Sequence, residues 1–178
     1  MRKTFKRSAW SLLCMLVFSG ATLATTEDDS AALLTRLSEF HQHQQELNSL
    51  AEQQAESAEI SELAESIAVD HYLLDEWLQE AGHDERQRGD VAAYGNDEQQ
   101  QAYEALQSQE GAEFDRQFLD YQMNIHRQAL DLLQEIPPES LEDAERANHF
   151  KVTYETLRKH LGMLQNHRQE DGGLSESE

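Results

Sequence analysis

Along most of the chain apolar residues recur at alternating steps of four and three, while the strict alternation of a β-strand is nearly absent. Between Glu59 and Ala81 the residues Ile60, Ala64, Ile67, His71, Leu74, Leu78 and Ala81 share one face, a heptad-like stripe that predicts an amphipathic helix. Every member is apolar except His71, near the middle, with Asp70 just before it. A similar stripe, Leu33, Leu37, Phe40, Gln44, Leu47 and Ala51, predicts a helix from about Asp29 or Ser30 to about Ala55, with Gln44 its polar member. A third long helix is predicted from about Ala112 to Ile136, where Pro137 and Pro138 forbid continuation. Phe114, Phe118, Gln122 or Ile125, Ala129, Leu132 and Ile136 face inward on it, with His126 one turn after Gln122. The last helix begins between Ser140 and Asp143 and runs to about His167. Its stripe is Phe150, Tyr154, Leu157, Leu161 and Leu164, with His160 on the shared edge.

The punctuation between these stripes is sparse. Ser57 is placed to cap the second helix after a tight connection, and Gly82 stops it. Residues 83–96 read as an exposed loop. Asn96 can cap a short helix from Asp97 to about Gln109, which Gly111 ends. Four long amphipathic helices with these connections predict an all-α, antiparallel four-helix bundle with one extra short helix between the second and third long ones. If the first two form an antiparallel hairpin about Ser57, Gln44 and His71 stand 13 and 14 residues from the turn and meet at one level.

The first 24 residues change the picture of where the protein works. Arg2, Lys3, Lys6 and Arg7 precede a short apolar run from Ala9 to Phe18, then the small residues of Ser19 to Ala24. This is the pattern of a secretory signal peptide, cleaved after Ala24 or Ala21, and the run is too short for a comfortable membrane span. Leu13 before Cys14 does not suit a lipoprotein, so Cys14 reads as leader filler. The expected domains are a signal peptide at 1–24, a single helical domain at 25–168 and a disordered acidic tail at 169–178. The expected location is exported, periplasmic or envelope-associated. With four of the 14 basic residues in the leader, the remaining 154 residues carry ten basic against 35 acidic side chains, a net charge of −25 with histidines neutral. Such a surface argues against nucleic acid, whose phosphates need Lys and Arg, and against anionic lipid headgroups. That part of the chain has no cysteine, which excludes a disulfide, a zinc–thiolate site and an iron–sulfur cluster there. It also has no membrane span, and no protein partner or oligomeric state is legible in it.

Each long helix carries a polar side chain on or beside its inner stripe: Gln44, then His71, then Gln122 with His126, then His160. Bundle cores are where facing side chains build metal sites, and neutral imidazole is a common ligand. His71, His126 and His160 with a carboxylate, Asp70 or Asp115, can form an N/O site for zinc, copper or iron. The competing reading is a closed polar network, with Gln44 and Gln122 in the same core layer, that only fixes helix register. Level matching tells against the site. His126 lies 11 residues before Pro137 and His160 22 after Pro138, an offset of up to ~16 Å unless the connection is long. A dinuclear carboxylate centre is not expected, because the one Glu-x-x-His, Glu80 to His83, spans the Gly82 stop. His41 and His43 point about 200° apart on their helix and cannot chelate together. Glu145 and His149 are expected as an exposed pair. No nucleophile elbow, phosphate-cradling loop or His-Glu-x-x-His is present.

The segments ELNSLAEQQA at 46–55, IAVDH at 67–71, GAEFDRQFLDYQMNIH at 111–126 and TLRKHLGML at 156–164 occur in this order. With them the chain resembles a bacterial family of secreted, ferritin-like helical-bundle proteins of unknown function, often labelled putative outer-membrane proteins. The family's hallmarks fall on Asp70, His71, Phe114, Asp115, His126, Leu157, His160 and Leu161. Gln44 stands where the family carries a glutamate, and Phe118 where a tyrosine is common. The outer-membrane label finds no support in the residues, which form neither alternating barrel strands nor a 20-residue apolar span. The resemblance implies a ferritin-like periplasmic bundle with an open biochemical role.

Two readings therefore stand. One is an exported bundle that binds a transition-metal ion or small ligand through core histidines, in an envelope or stress role. The other is a non-catalytic structural or interaction module whose buried His/Gln layer sets register. A redox or hydrolytic metalloenzyme is a third, thinner option.

Overall fold

Five helices make up the computed structural model, which describes residues 25–80, 95–136 and 143–175. They are α1 (Thr25–Gln54), α2 (Ala58–Glu80), α3 (Asp97–Gln107), α4 (Gly111–Gln134) and α5 (Ala144–Ser175). The stripes lie where periodicity puts them. Leu37, Phe40, Gln44, Leu47 and Ala51 of α1 are fully buried, as are Ala64, Ile67 and His71 of α2 and Phe114, Phe118, Gln122 and Ile125 of α4. On α5 Phe150, Leu157, His160 and Leu164 are buried, while Tyr154 and Leu161 are partly so. Apolar side chains from all four long helices thus form one continuous core.

Helix directions follow from which residues meet. On α1 and α4, His43 meets Tyr121 and the turn residue Ser57 meets Asp115. On α2 and α5, Leu74 meets His149 and Asp70 meets His160. Each long helix is therefore antiparallel to both of its neighbours, and α2 and α4 run the same way on a diagonal. That arrangement needs one long crossover between α2 and α4, the connectivity of ferritin-type bundles. Within the crossover α3 packs on α1 and α4, with the Tyr103 ring 4.9 Å from His43 and 6.0 Å from Tyr121.

Local chemistry fixes the junctions. Asn96 caps α3 in a reciprocal box: its Oδ1 accepts from the Gln99 amide at 3.0 Å, and Gln99 Oε1 accepts from the Asn96 amide at 2.8 Å. Gly95, at φ +91°, must be glycine, since a Cβ would lie 2.4 Å from Gln99 Oε1. At the α1–α2 turn Ser57 Oγ accepts from the Glu59 amide at 3.2 Å.

Three boundaries differ from the sequence reading. The first helix begins at Thr25, ahead of the capping-type residues. The short one ends at Gln107. The last does not stop near His167 but continues to Ser175, because nothing in Arg168 to Ser175 blocks helix as proline does; glycines 172 and 173 only weaken it. The expected leader at 1–24, the expected stop at Gly82 with its loop at 83–94, the expected stop at Pro137 and Pro138, and residues 176–178 lie outside the described residues. No described helix is long and apolar enough to cross a membrane.

Candidate metal centre

One imidazole from each long helix reaches the same level of the core: His41 from α1, His71 from α2, His126 from α4 and His160 from α5, all fully buried. The ring centroids lie 5.1 Å apart for His41 and His71, 5.2 Å for His71 and His160, 5.6 Å for His71 and His126, and 5.4 Å for His126 and His160. His71, His126 and His160 each offer a ring nitrogen, and these three atoms lie within 4.8 Å of one another, so the group can hold a metal ion.

The expected vertical offset between His126 and His160 is absent: His126 Nε2 and His160 Nδ1 are 3.3 Å apart. Nine residues separate the end of α4 from the start of α5, and that length of connection lets α5 slide until the two rings are level. Gln44 does not meet His71 either. The α1–α2 hairpin is centred on Glu56, so the residue opposite His71 lies one turn earlier, and it is His41, with the two Nδ1 atoms 2.8 Å apart.

The outer partners decide where the protons are. His126 Nδ1 lies 2.9 Å from the Gln122 carbonyl oxygen, which only accepts, so Nδ1 carries the hydrogen. His160 Nε2 lies 2.9 Å from Asp70 Oδ2, so Nε2 carries the hydrogen there. Both rings are neutral at pH 7. Burial pushes the His126 pKa down to about 3, with the neighbouring His160 adding to it. Burial also lowers His160, against the opposing pull of Asp70. A neutral imidazole has one N–H, and in both rings it is spent outward. The two nitrogens that face each other at 3.3 Å therefore both present lone pairs. Two acceptors at that distance repel unless a cation sits between them. An ion with bonds of 2.0–2.1 Å to nitrogen holds its donors about 3.3 Å apart in tetrahedral and about 3.5 Å apart in trigonal geometry.

The third imidazole completes the set. His71 Nε2 is buried with no hydrogen-bond partner. Its Nδ1 is paired with His41 Nδ1, and one of the two carries the shared proton; with the proton on His71, its Nε2 presents a lone pair, while His41 Nε2 is likewise buried without a partner among the described residues. Burial holds His71 well below its ordinary pKa, and His41 is pushed down to about 3, first by burial and then by the surrounding imidazoles. Each ring of the triad thus gives its second nitrogen to an outer partner: a backbone carbonyl, a carboxylate and a fourth histidine. Outer partners of this kind orient metal-binding histidines and fix their tautomers. Asp70 is the point where the centre approaches the surface. Burial raises its pKa, but the bonds from Lys159 and His160 outweigh that and hold it below the usual carboxylate value.

Asp115 is not brought to this level. Its carboxylate spans the α1–α2 turn and accepts from the amides of Glu56 at 3.1 Å and Ser57 at 2.9 Å. It lies 11 residues from His126 along α4, about 16 Å of helix. Gln44 and Gln122 form a separate layer about one turn from the histidines. Asn48 Nδ2 donates to Gln44 Oε1 at 3.1 Å, and Gln122 Nε2 donates to Asn48 Oδ1 at 2.8 Å. His149 is not an exposed partner of Glu145. It is buried, its Nε2 donating to the Leu74 carbonyl at 3.1 Å, because the start of α5 packs on α2. His41 and His43 do point apart: His43 Nε2 bonds the Tyr121 hydroxyl at 2.9 Å. Glu80 is exposed, and His83 lies outside the described residues.

Fold and site together define a class: a helical bundle whose core presents three convergent neutral imidazoles able to hold a metal ion. Residues 18–166 match the family described as a domain of unknown function (DUF4142), and the chain belongs to that family. No curated protein and no solved structure matches the chain. The expected family is met in its coarser sense, a helical protein of unknown function covering most of the chain.

Proposed function

We propose that this protein is an exported bundle that binds one transition-metal ion through His71 Nε2, His126 Nε2 and His160 Nδ1, as a periplasmic metal-binding protein. The observation that carries the reading is the facing pair of lone pairs at 3.3 Å, His126 Nε2 against His160 Nδ1. A polar network that served only helix register would place a donor against an acceptor there. Supporting it are the convergence of His71 on the same point and the three outer partners that hold the tautomers. Export rests on the leader pattern in residues 1–24.

The experiment is elemental analysis of untagged protein purified from periplasm, beside a variant with His71, His126 and His160 all changed to alanine. Near one equivalent of one transition metal is expected in the wild type and none in a variant whose circular dichroism still shows the helices. Trace, variable metal in both proteins would sink the reading and leave a core polar layer. Recovery only from the cytoplasm with residues 1–24 intact would sink export.

A further inference from the structure

The charge around the centre says which kind of ion it takes. The three convergent donors are neutral imidazoles, with no carboxylate among them. Asp70 stands one shell out and its charge is met by Lys159, whose Nζ lies 2.5 Å from Oδ2. One other carboxylate is close and buried: Asp75, one helical turn beyond His71 on α2. It accepts from Ser38 Oγ at 2.7 Å, Gln79 Nε2 at 3.0 Å and Gln42 Nε2 at 3.4 Å, all neutral donors. Among the described residues these neutral donors are the only bonds to the Asp75 carboxylate, with no Lys or Arg among them.

Coordination number points the same way. The Phe40 ring packs in T-shaped contact with His71 and His126, at centroid distances of 5.2 and 5.9 Å and interplanar angles of 79° and 78°. His41 backs His71. An aromatic ring and an outer histidine thus lie beside the three imidazoles, and no carboxylate joins the convergent group.

We infer that the centre takes a singly charged, three-coordinate ion of the cuprous type in preference to zinc or any other divalent ion, an assignment that rests on the metal-binding reading above. A monovalent ion balances Asp75 and leaves the buried group neutral. A divalent ion leaves one uncompensated positive charge in a core of low dielectric. Because solvation cost grows with the square of the charge, the second unit costs about three times the first. Zinc held by three histidines must add a water as its fourth ligand, whereas a cuprous ion is satisfied by the three nitrogens alone.

The test is competition on the purified full-length mature protein under anaerobic, reducing conditions. A chromogenic chelator buffers Cu(I), Ag(I) serves as a redox-silent ion of the same charge, and Zn(II) is the competitor. One equivalent of Cu(I) or Ag(I) is expected to bind and to withstand about a 100-fold excess of Zn(II). Asp75→Asn is expected to weaken Cu(I) about tenfold with unchanged circular dichroism. Zn(II) displacing Ag(I), or an Asp75→Asn protein that binds Cu(I) as tightly as the wild type, would overturn the charge assignment and leave the metal reading standing. If no ion of either charge binds, both fall.

Discussion

Two polar layers cross the core about one turn apart, and they are built on opposite logic. In the amide layer Gln122 donates to Asn48 and Asn48 donates to Gln44, so the groups that meet are donor and acceptor. An amide carries both roles in one side chain, so each contact in the layer pairs donor with acceptor, although Gln44 Nε2 and Gln122 Oε1 at its two ends have no partner among the described residues. In the histidine layer the single protons of His126 and His160 are turned outward, to the Gln122 carbonyl and to Asp70. What is left in the middle is acceptor against acceptor. The lesson is that counting buried polar residues does not separate a network from a site. The direction of the donors does. The layers also touch, because the carbonyl that fixes His126 belongs to Gln122 itself.

The sharpest way to separate the layers is acid, because only the imidazoles titrate. His41 and His126 are held down to about 3 in the fold against 6.5 in the unfolded chain. Their contribution is fully present above pH 6.5 and is lost as the pH falls toward 3, since the unfolded chain takes up protons that the folded one refuses. From pH 7 to pH 5 each should cost about 2 kcal/mol of stability, and His71 and His43, also held down by burial, add to the loss. Denaturant titrations at the two pH values, in chelator, measure it. A flat profile would mean that the rings accept protons inside the fold and that their lone pairs are not reserved.

Next in size is the outer partner. His41→Leu removes the hydrogen-bond partner of His71 Nδ1 and should weaken metal binding about 10- to 100-fold. His41→Asn, which keeps an acceptor oxygen, should recover part of that. Equal losses in both variants would reduce His41 to packing.

Breaking the amide layer should do the reverse. Asn48→Ala strands Gln122 Nε2 and Gln44 Oε1 and should cost about 2 kcal/mol of stability with metal stoichiometry unchanged. Loss of metal together with stability would merge the two layers into one unit. The smallest effect is expected at the turn. Asp115→Ala frees two amides and should cost about 1 kcal/mol while leaving metal affinity at the wild-type value. A large drop in affinity would return Asp115 to the site.

Much of the fold and part of the site are legible in the sequence. The stripe that places Ile60, Ala64, Ile67 and His71 on one face also puts that face in the core, and the same period turns His126 and His160 inward. The cap at Asn96 is equally local, because a capping residue and the glutamine three positions on need nothing but each other. His41 is not legible, because it sits one position off the stripe, beside Phe40, and its partner lies on another helix. The one signal that would find it is a hairpin centred on Glu56 instead of Ser57. His149 is hidden for the same reason, since its burial depends on where α5 meets α2.

What each helix buries is written in its own residues, because a period of 3.6 residues is a property of one helix. So is the supply of side chains that could carry chemistry. Which of them share a level is set by the packing of one helix on another. Level depends on where a turn is centred and how many residues a connection spends, and one residue's shift in a turn centre moves its partners by about 3 Å. That difference made His41 the neighbour of His71 and Asp115 a clasp on the turn. It also turned an expected offset into two nitrogens 3.3 Å apart.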